Sequence, residues 1–285
     1  MTKKRVELLP SDALKKKNLG ISISDTPDLA RLGLLGTHLK LALGELARTV
    51  ITSGGYLYYG GHLEPDGFTR FLVDELHRYG RRDRPLKVCL AENIHRGMSD
   101  DDIYEQKQIM GLFGEIFFIS ERGNKLGSKS TRDPQLDHQE LDSATCLAGL
   151  RSYMSRCTTA RIAIGGKIAG YTGSMPGILE EITRSIELKQ PLYLAGGFGG
   201  MTIEIIRALR PEYAEWFPDR YDSNDMDSAL LEGLKRLTEI SAEKDWDGFA
   251  NGLDEGENKL LAASYRPSEI ATLVGKGMGK ILVED

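Results

Sequence analysis

Apolar positions in this chain switch between two rhythms, and the switches mark out a strand and helix repeat. Leu19–Ser24 (LGISIS) alternates apolar and small polar residues, as a half-buried strand does. Ser24-Asp25-Thr26-Pro27-Asp28 supplies turn chemistry, after which Leu35, Leu39, Leu43 and Leu46 recur at helical spacing and predict a helix over about Leu35–Thr49. Tyr56-Leu57-Tyr58 centres a second strand that stops at Gly60-Gly61. A loop over His62–Gly67 leads into a helix carrying Phe68, Phe71, Leu72, Leu76 and Tyr79. Leu86–Ala91 predicts a third strand, Asp100–Met110 a helix and Glu115–Ser120 (EIFFIS) a fourth strand. Glu121–Leu136 then turns polar and glycine-rich. Its place after a strand puts it at the edge where open α/β sheets bind ligands, although a plain surface insertion has the same composition. Helices follow over Leu141–Ser155 and Met226–Ile240, and a last apolar segment covers Ile270–Leu282.

The densest pattern runs from Arg161 to Gly200. Arg161–Ile164 reads as a buried parallel strand that stops at Gly165-Gly166, and a loop follows from Lys167 to Ser174. Gly165, Gly166, Gly170 and Gly173 let the backbone turn and let a ligand come close, while Pro176 and Gly177 suit the opening turn of a helix. Ile178, Leu179, Ile182 and Ile186 give that helix its apolar face. Free N–H groups at its start favour an anion placed near Ser174 and Met175, and Lys167 adds a positive charge. Pro191–Ala195 forms the next strand, and Gly196-Gly197-Phe198-Gly199-Gly200 repeats the arrangement before a helix over about Thr202–Leu209. Glycine pairs also turn tight strand-helix corners with no ligand at all. Two in register point to a phosphate-sized site.

Composition narrows the function. With 285 residues, 40% of them hydrophobic and 28% charged, the chain can bury a large core, and it shows no internal repeat or low-complexity linker. Residues 1–18 read as a polar lead and 19–285 as a single domain with a helical C-terminal cap. A net charge of −5 disfavours broad nucleic-acid binding, which needs a basic face, but leaves a small anion open as a ligand. Cys89, Cys146 and Cys157 form no CxxC pair, and the basic Met1–Arg5 start precedes no apolar run; reduced thiols, no membrane span and a cytoplasmic location are expected. His38, His77, His95 and His138 are scattered and read as solvated. No HxH, HExxH or carboxylate cluster has metal-ligand spacing, so neither a metal nor a resident cofactor is expected. The absence of GxSxG, and of GxGxxG after the first strand, disfavours an acyl hydrolase and a dinucleotide oxidoreductase. Beside the glycine loops, Gly60, Gly61, His62 and Thr69 form a second set that could hold phosphate at a helix start, with a simple N-cap and turn as the alternative. Ser22, Ser24 and Asp25 end the first strand and face the same edge.

Taken together, GISIS, YYGGHLEPDGFT, Arg151 with Met154, the Arg161 strand with GGK, and GSMPGILEE with GGFGG resemble the SLOG superfamily. This Rossmann-like group is named for DprA-type proteins and the LOG phosphoribohydrolases. The resemblance covers nearly all of the chain from about residue 19. It implies an α/β fold with a mostly parallel sheet and helices on both faces, and a nucleotide-like ligand. The hydrolases carry an RK dipeptide with a methionine shortly after it; Arg151-Ser152-Tyr153-Met154 resembles that element with the lysine replaced. Aligning the end of their PGGxGTxxE motif with Gly177–Glu181 makes Glu181 the counterpart of the catalytic glutamate, with Glu180 as a one-residue register alternative. The motif's threonine is Ile178 here, and its second glycine pair is lost. Arg151, Lys167 and Glu181 fill the places of the ligand-binding arginine, lysine and glutamate in sensing domains such as that of the Thoeris antiphage effector, which binds a cyclic ADP-ribose derivative. In that reading Gly197 and the other loop glycines line the ligand. The resemblance therefore implies a nucleotide or ADP-ribose-derived signal sensor, with a nucleoside-monophosphate phosphoribohydrolase as runner-up and an interaction protein with a vestigial pocket as a third class. It also implies a homodimer or higher homo-oligomer. A sensor without its own effector domain implies a partner protein or a change of assembly.

Overall fold

The computed structural model describes residues 10–127, 141–218, 226–246 and 250–281. The alternating and apolar runs form strands β1 (Asn18–Ser24), β2 (Tyr56–Gly60), β3 (Leu86–Ala91), β4 (Gly114–Ile119), β6 (Ala160–Gly165) and β7 (Leu192–Ala195), with a short β5 (Lys125–Leu126). They make one sheet in the order β5-β4-β3-β2-β1-β6-β7, parallel except for the antiparallel pairing of β4 with β5. The helices are α1 (Gly36–Thr52), α2 (Phe68–Tyr79), α3 (Glu92–His95), α4 (Asp100–Met110), α5 (Ser143–Cys157), α6 (Gly177–Glu187), α7 (Gly200–Leu209), α8 (Ser228–Glu243), α9 (Glu255–Ala263) and α10 (Pro267–Lys280). The polar stretch expected as a loop thus contains a hairpin in its first part, Glu121–Leu126; residues 128–136 lie outside the described residues, as does His138.

Side chains alternate across each strand, so register decides which residues meet. Leu19, Ile21 and Ile23 of β1 share one face with Ile162, Ile164, Leu57 and Tyr59, and pack there with α1, α2, α4 and α10. Gly20, Ser22 and Ser24 share the other face with Arg161 and Ala163, beneath α5 and α6. Ala163, Leu192 and Leu194 continue that face under α6, α7 and α8. Helices on both faces bury the sheet, as right-handed parallel crossovers require. Leu14 is fully buried in the core and the Lys17 ammonium donates to the Met278 carbonyl at 2.6 Å, so the end of the polar lead is packed against α10.

The chain winds outward from β1 through β2, β3 and β4, then returns to place β6 on the other side of β1. That reversal is a topological switch point, where strand ends diverge and leave a crevice at the carboxyl edge of the sheet. Ser24, Gly60 and Gly165 end their strands there.

Candidate functional site

The start of α6 gathers most of the charged chemistry at the switch point. Glu180 and Glu181 are neighbours in sequence and point to different partners. Glu180 is buried, with one oxygen taken by Arg151 Nη1 and the other by Arg184 at 2.8 and 3.1 Å. Glu181 uses Oε2 alone: the Ser22 hydroxyl donates to it and Arg161 Nη1 lies 3.3 Å away. Glu181 Oε1 has no hydrogen-bond partner among the described residues. Of the two registers, Glu181 is therefore the one with an acceptor left for a ligand.

Arg161 is the residue that sequence reading missed as chemistry, because it sits inside a strand whose other positions are apolar or small. It has no exposure at all, and it donates from Nε to Ser185 (2.8 Å), from Nη2 to Ser155 (3.0 Å) and from Nη1 to Ser22 (3.0 Å). Burial pushes its guanidinium below the ordinary value and Glu181 opposes that shift. The signal was present as three serines, each a short hydroxyl one helical or strand step from an expected core position.

Arg151 does not meet Glu181 directly. Its guanidinium lies under the 173–177 loop, where a Cβ on Gly177 would come within 2.6 Å of Nη2, so a side chain there would push the guanidinium aside. Beyond Nη1, the donors of Arg151 carry no protein partner among the described residues. The first turn of α6 has no side-chain cap; Pro176 is its N-cap, and its carbonyl accepts the Glu180 N–H at 3.1 Å. Lys167 is exposed, its ammonium has no partner among the described residues, and its backbone N–H is held by Ser24 Oγ at 3.3 Å. Gly165 and Gly166 both take positive φ, 64° and 108°, which turns the chain out of β6 and under α7. Gly173, Ser174 and Met175 run from loop to helix, with Ser174 exposed. Tyr171 ties this loop to α8, donating its hydroxyl to the Asp227 carboxylate at 2.7 and 2.8 Å.

The second glycine loop differs from the first. Asp28 accepts the Gly200 N–H at 2.5 Å and so occupies the start of α7 with an internal carboxylate. Gly197 is buried, with the Ser264 backbone where a Cβ would go. The phosphate cradle expected there is filled by the protein itself.

On the β2 side, Gly60 faces Met154, whose Sδ would lie 2.7 Å from an added Cβ. His62 is exposed. Thr69 is buried in the first turn of α2 with its hydroxyl unpartnered among the described residues, and that turn also lacks a side-chain cap. His95, expected to be solvated, is instead buried against the Phe118 ring with Nε2 3.4 Å from the Ile119 carbonyl, because α3 folds back over β4. Cys89 and Cys146 are buried and all three cysteines are free. Among the described residues no group of three or more His, Cys, Asp or Glu is placed to hold a metal ion, and no helix is long and apolar enough to cross a membrane. Cavities of about 320 Å³ open elsewhere, one between α7 and α8 beside Trp246 and one between α6 and α8 beside Arg236; neither touches the cleft residues.

No curated protein matches the chain. A family model described as SLOG cluster2 matches residues 13–261, which takes in every strand, Arg151, Arg161, the α6 glutamates and both glycine loops. A seven-stranded, mostly parallel sheet with a polar crevice at its switch point, matched over most of its length by that model, makes this chain a member of the SLOG superfamily, in its cluster 2.

Proposed function

We propose that the cleft binds a nucleotide or an ADP-ribose-derived nucleotide, and that the chain acts as a signal sensor. The observation that carries this reading is a set of unused groups around one uncapped helix start: the free edge of Arg151, the Lys167 ammonium and Glu181 Oε1. A phosphate suits the two cations and the α6 amides, since charge-assisted hydrogen bonds and the helix dipole both favour an anion. The carboxylate beside them suits a hydroxyl-bearing sugar. Likeness of Arg151, Lys167 and Glu181 to the sensing domains of Thoeris-type effectors supports an antiphage setting. Output requires that the ligand favour one of two states, either of the loop or of an assembly with a second copy or an effector partner.

A second reading, N-glycosidic cleavage, draws on Glu181: a carboxylate fixed through one oxygen can orient water with the other. Against it, Ile178 puts a methyl on Gly166 where the hydrolase motif has a threonine. Incubating the protein with nucleoside monophosphates, NAD and cyclic ADP-ribose isomers, while recording thermal shift and released base, separates the two. The sensor reading expects stabilisation without base release. Base release that disappears in Glu181→Ala would establish the hydrolase instead, and no response to any compound would leave the interaction role.

A further inference from the structure

Arg161 and Ser22 meet on the sheet face beneath α5 and α6, the face that also receives Glu181. The Arg161 guanidinium lies along β1, with Cζ 3.4 Å from where a Cβ on Gly20 would stand, and it has no exposure. Ser185 and Ser155 take Nε and Nη2, which fixes the plane of the group and leaves Nη1 to Ser22 and Glu181. Ser22 is 3% exposed and stands between the two. Its oxygen accepts from Nη1 at 3.0 Å, and its only hydrogen is donated to Glu181 Oε2. A hydroxyl placed in this way cannot rotate without giving up a bond, so the donors run one way, from arginine through serine to carboxylate. Both neighbours of Glu181 hold the same oxygen. Its side chain is 12% exposed, and Oε1 has no partner among the described residues. Joining α5 and α6 to β6 would need only the bonds to Ser155 and Ser185, and apolar residues of similar volume often serve such a purpose as well. That packing role leaves Ser22 unexplained, since its hydroxyl is committed to a carboxylate that is not fully buried.

We propose that Ser22, backed by Arg161, is a positioning residue of the nucleotide site: it holds the Glu181 carboxylate by one oxygen so that the other stays available to the ligand as an acceptor. This rests on the nucleotide reading and deepens it, since it fixes the kind of ligand group that meets Oε1. That group must donate, because an ionised carboxylate only accepts; a sugar hydroxyl fits and an ionised phosphate does not. Released by Ser22, Glu181 is free to turn Oε1 onto Arg161 Nη1 and close the pair on itself, and a ligand would then have to break that contact. A carboxylate held from behind by hydrogen bonds also loses less freedom when the ligand arrives, which is the gain from preorganisation. Ser22 does not touch the ligand. Its effect passes through Glu181 and disappears where Glu181 is absent.

The test is a double-mutant cycle in ligand affinity. Wild-type protein, Ser22→Ala, Glu181→Ala and the double variant are titrated calorimetrically with ADP-ribose and the ribonucleoside 5′-monophosphates, below the melting onset of the least stable protein. Ser22→Ala should weaken the tightest-binding of these probes roughly three- to ten-fold, as loss of one hydrogen bond behind the carboxylate implies. In the Glu181→Ala background the same change should leave affinity where Glu181→Ala alone puts it. A merely structural role for Ser22 would not show that dependence, because general damage to the cleft multiplies with the loss of Glu181. Equal affinity in wild type and Ser22→Ala, or fold-losses that multiply in the double variant, overturns this inference and leaves the nucleotide reading standing. Glu181→Ala that binds as tightly as wild type does the same. Should Ser22→Ala fail to fold, Ser22→Cys, which nearly keeps the volume with a weaker donor, takes its place in the cycle under the same criteria. Failure of every probe to bind wild-type protein overturns both.

Discussion

Two adjacent glutamates on α6 answer to two different arginines, and that division decides what each can do. Successive helical residues are about 100° apart, so Glu180 turns towards α5 and Glu181 towards β1. Glu180 is closed by Arg151 and Arg184, whereas Glu181 is anchored and half free. Replacing Arg161 with methionine should leave the half-buried Glu181 without its cation. The expected cost is near the lower end of about 3–5 kcal/mol, because Glu181 keeps some solvent access. Urea unfolding should show that loss, with partial recovery in Arg161→Met/Glu181→Leu; a single variant as mild as a surface change of under about 0.5 kcal/mol would remove the argument. Arg151 and Glu181 were legible in the sequence as candidates, through motifs that resemble the family's. Their partners were not, because pairing depends on helix phase and strand register, and Arg161 looks like a boundary charge until Ser22, Ser155 and Ser185 are seen around it.

At the scale of elements, long periodic segments were legible and short ones were not. The predicted helix over Leu35–Thr49 appears as α1, and LGISIS as the core of β1, since many residues repeat each signal. β5 has two residues and α3 has four, too few for any periodicity; β5 is held by its antiparallel pairing with β4, and α3 by the Glu121 N–H to Glu92 Oε2 at 2.7 Å and by His95 to Ile119. α3 carries a testable consequence. Burial, opposed by the Ile119 hydrogen bond and Glu92 and aided by Arg96, holds His95 below its ordinary pKa of 6.5. The unfolded chain therefore binds a proton at a pH where the folded chain does not. Stability linked to His95 is complete above pH 6.5 and is lost as the pH falls through that value towards the lowered folded pKa. Thermal melts of His95→Gln should lose less stability than wild type between about pH 7 and about pH 5.5. Equal slopes would show that His95 is not the titrating group.

Across the whole molecule, the structural unit extends past the family match. α10 begins after residue 261, where the match ends, yet Ile270, Leu273, Val274 and Met278 are buried against α1 in the main core. At about 1.5–3 kcal/mol for each buried side chain, their loss is comparable to the whole stability of a typical domain, about 5–15 kcal/mol. A chain ended at residue 263 should therefore lose cooperative melting in calorimetry; a sharp transition would show that α10 is dispensable.

Asp28 gives the sheet edge an electrical asymmetry. The carboxylate at the start of α7 belongs to the chain and is itself paired with Arg31 at 2.8 Å, an arrangement that dilution cannot remove and added salt barely screens, since the carboxylate is desolvated. α6 has no such resident acid at its N-cap, and the charge it offers with Lys167 faces the medium. Of the two glycine-rich loops, the surrounding electrolyte can therefore tune the one before α6.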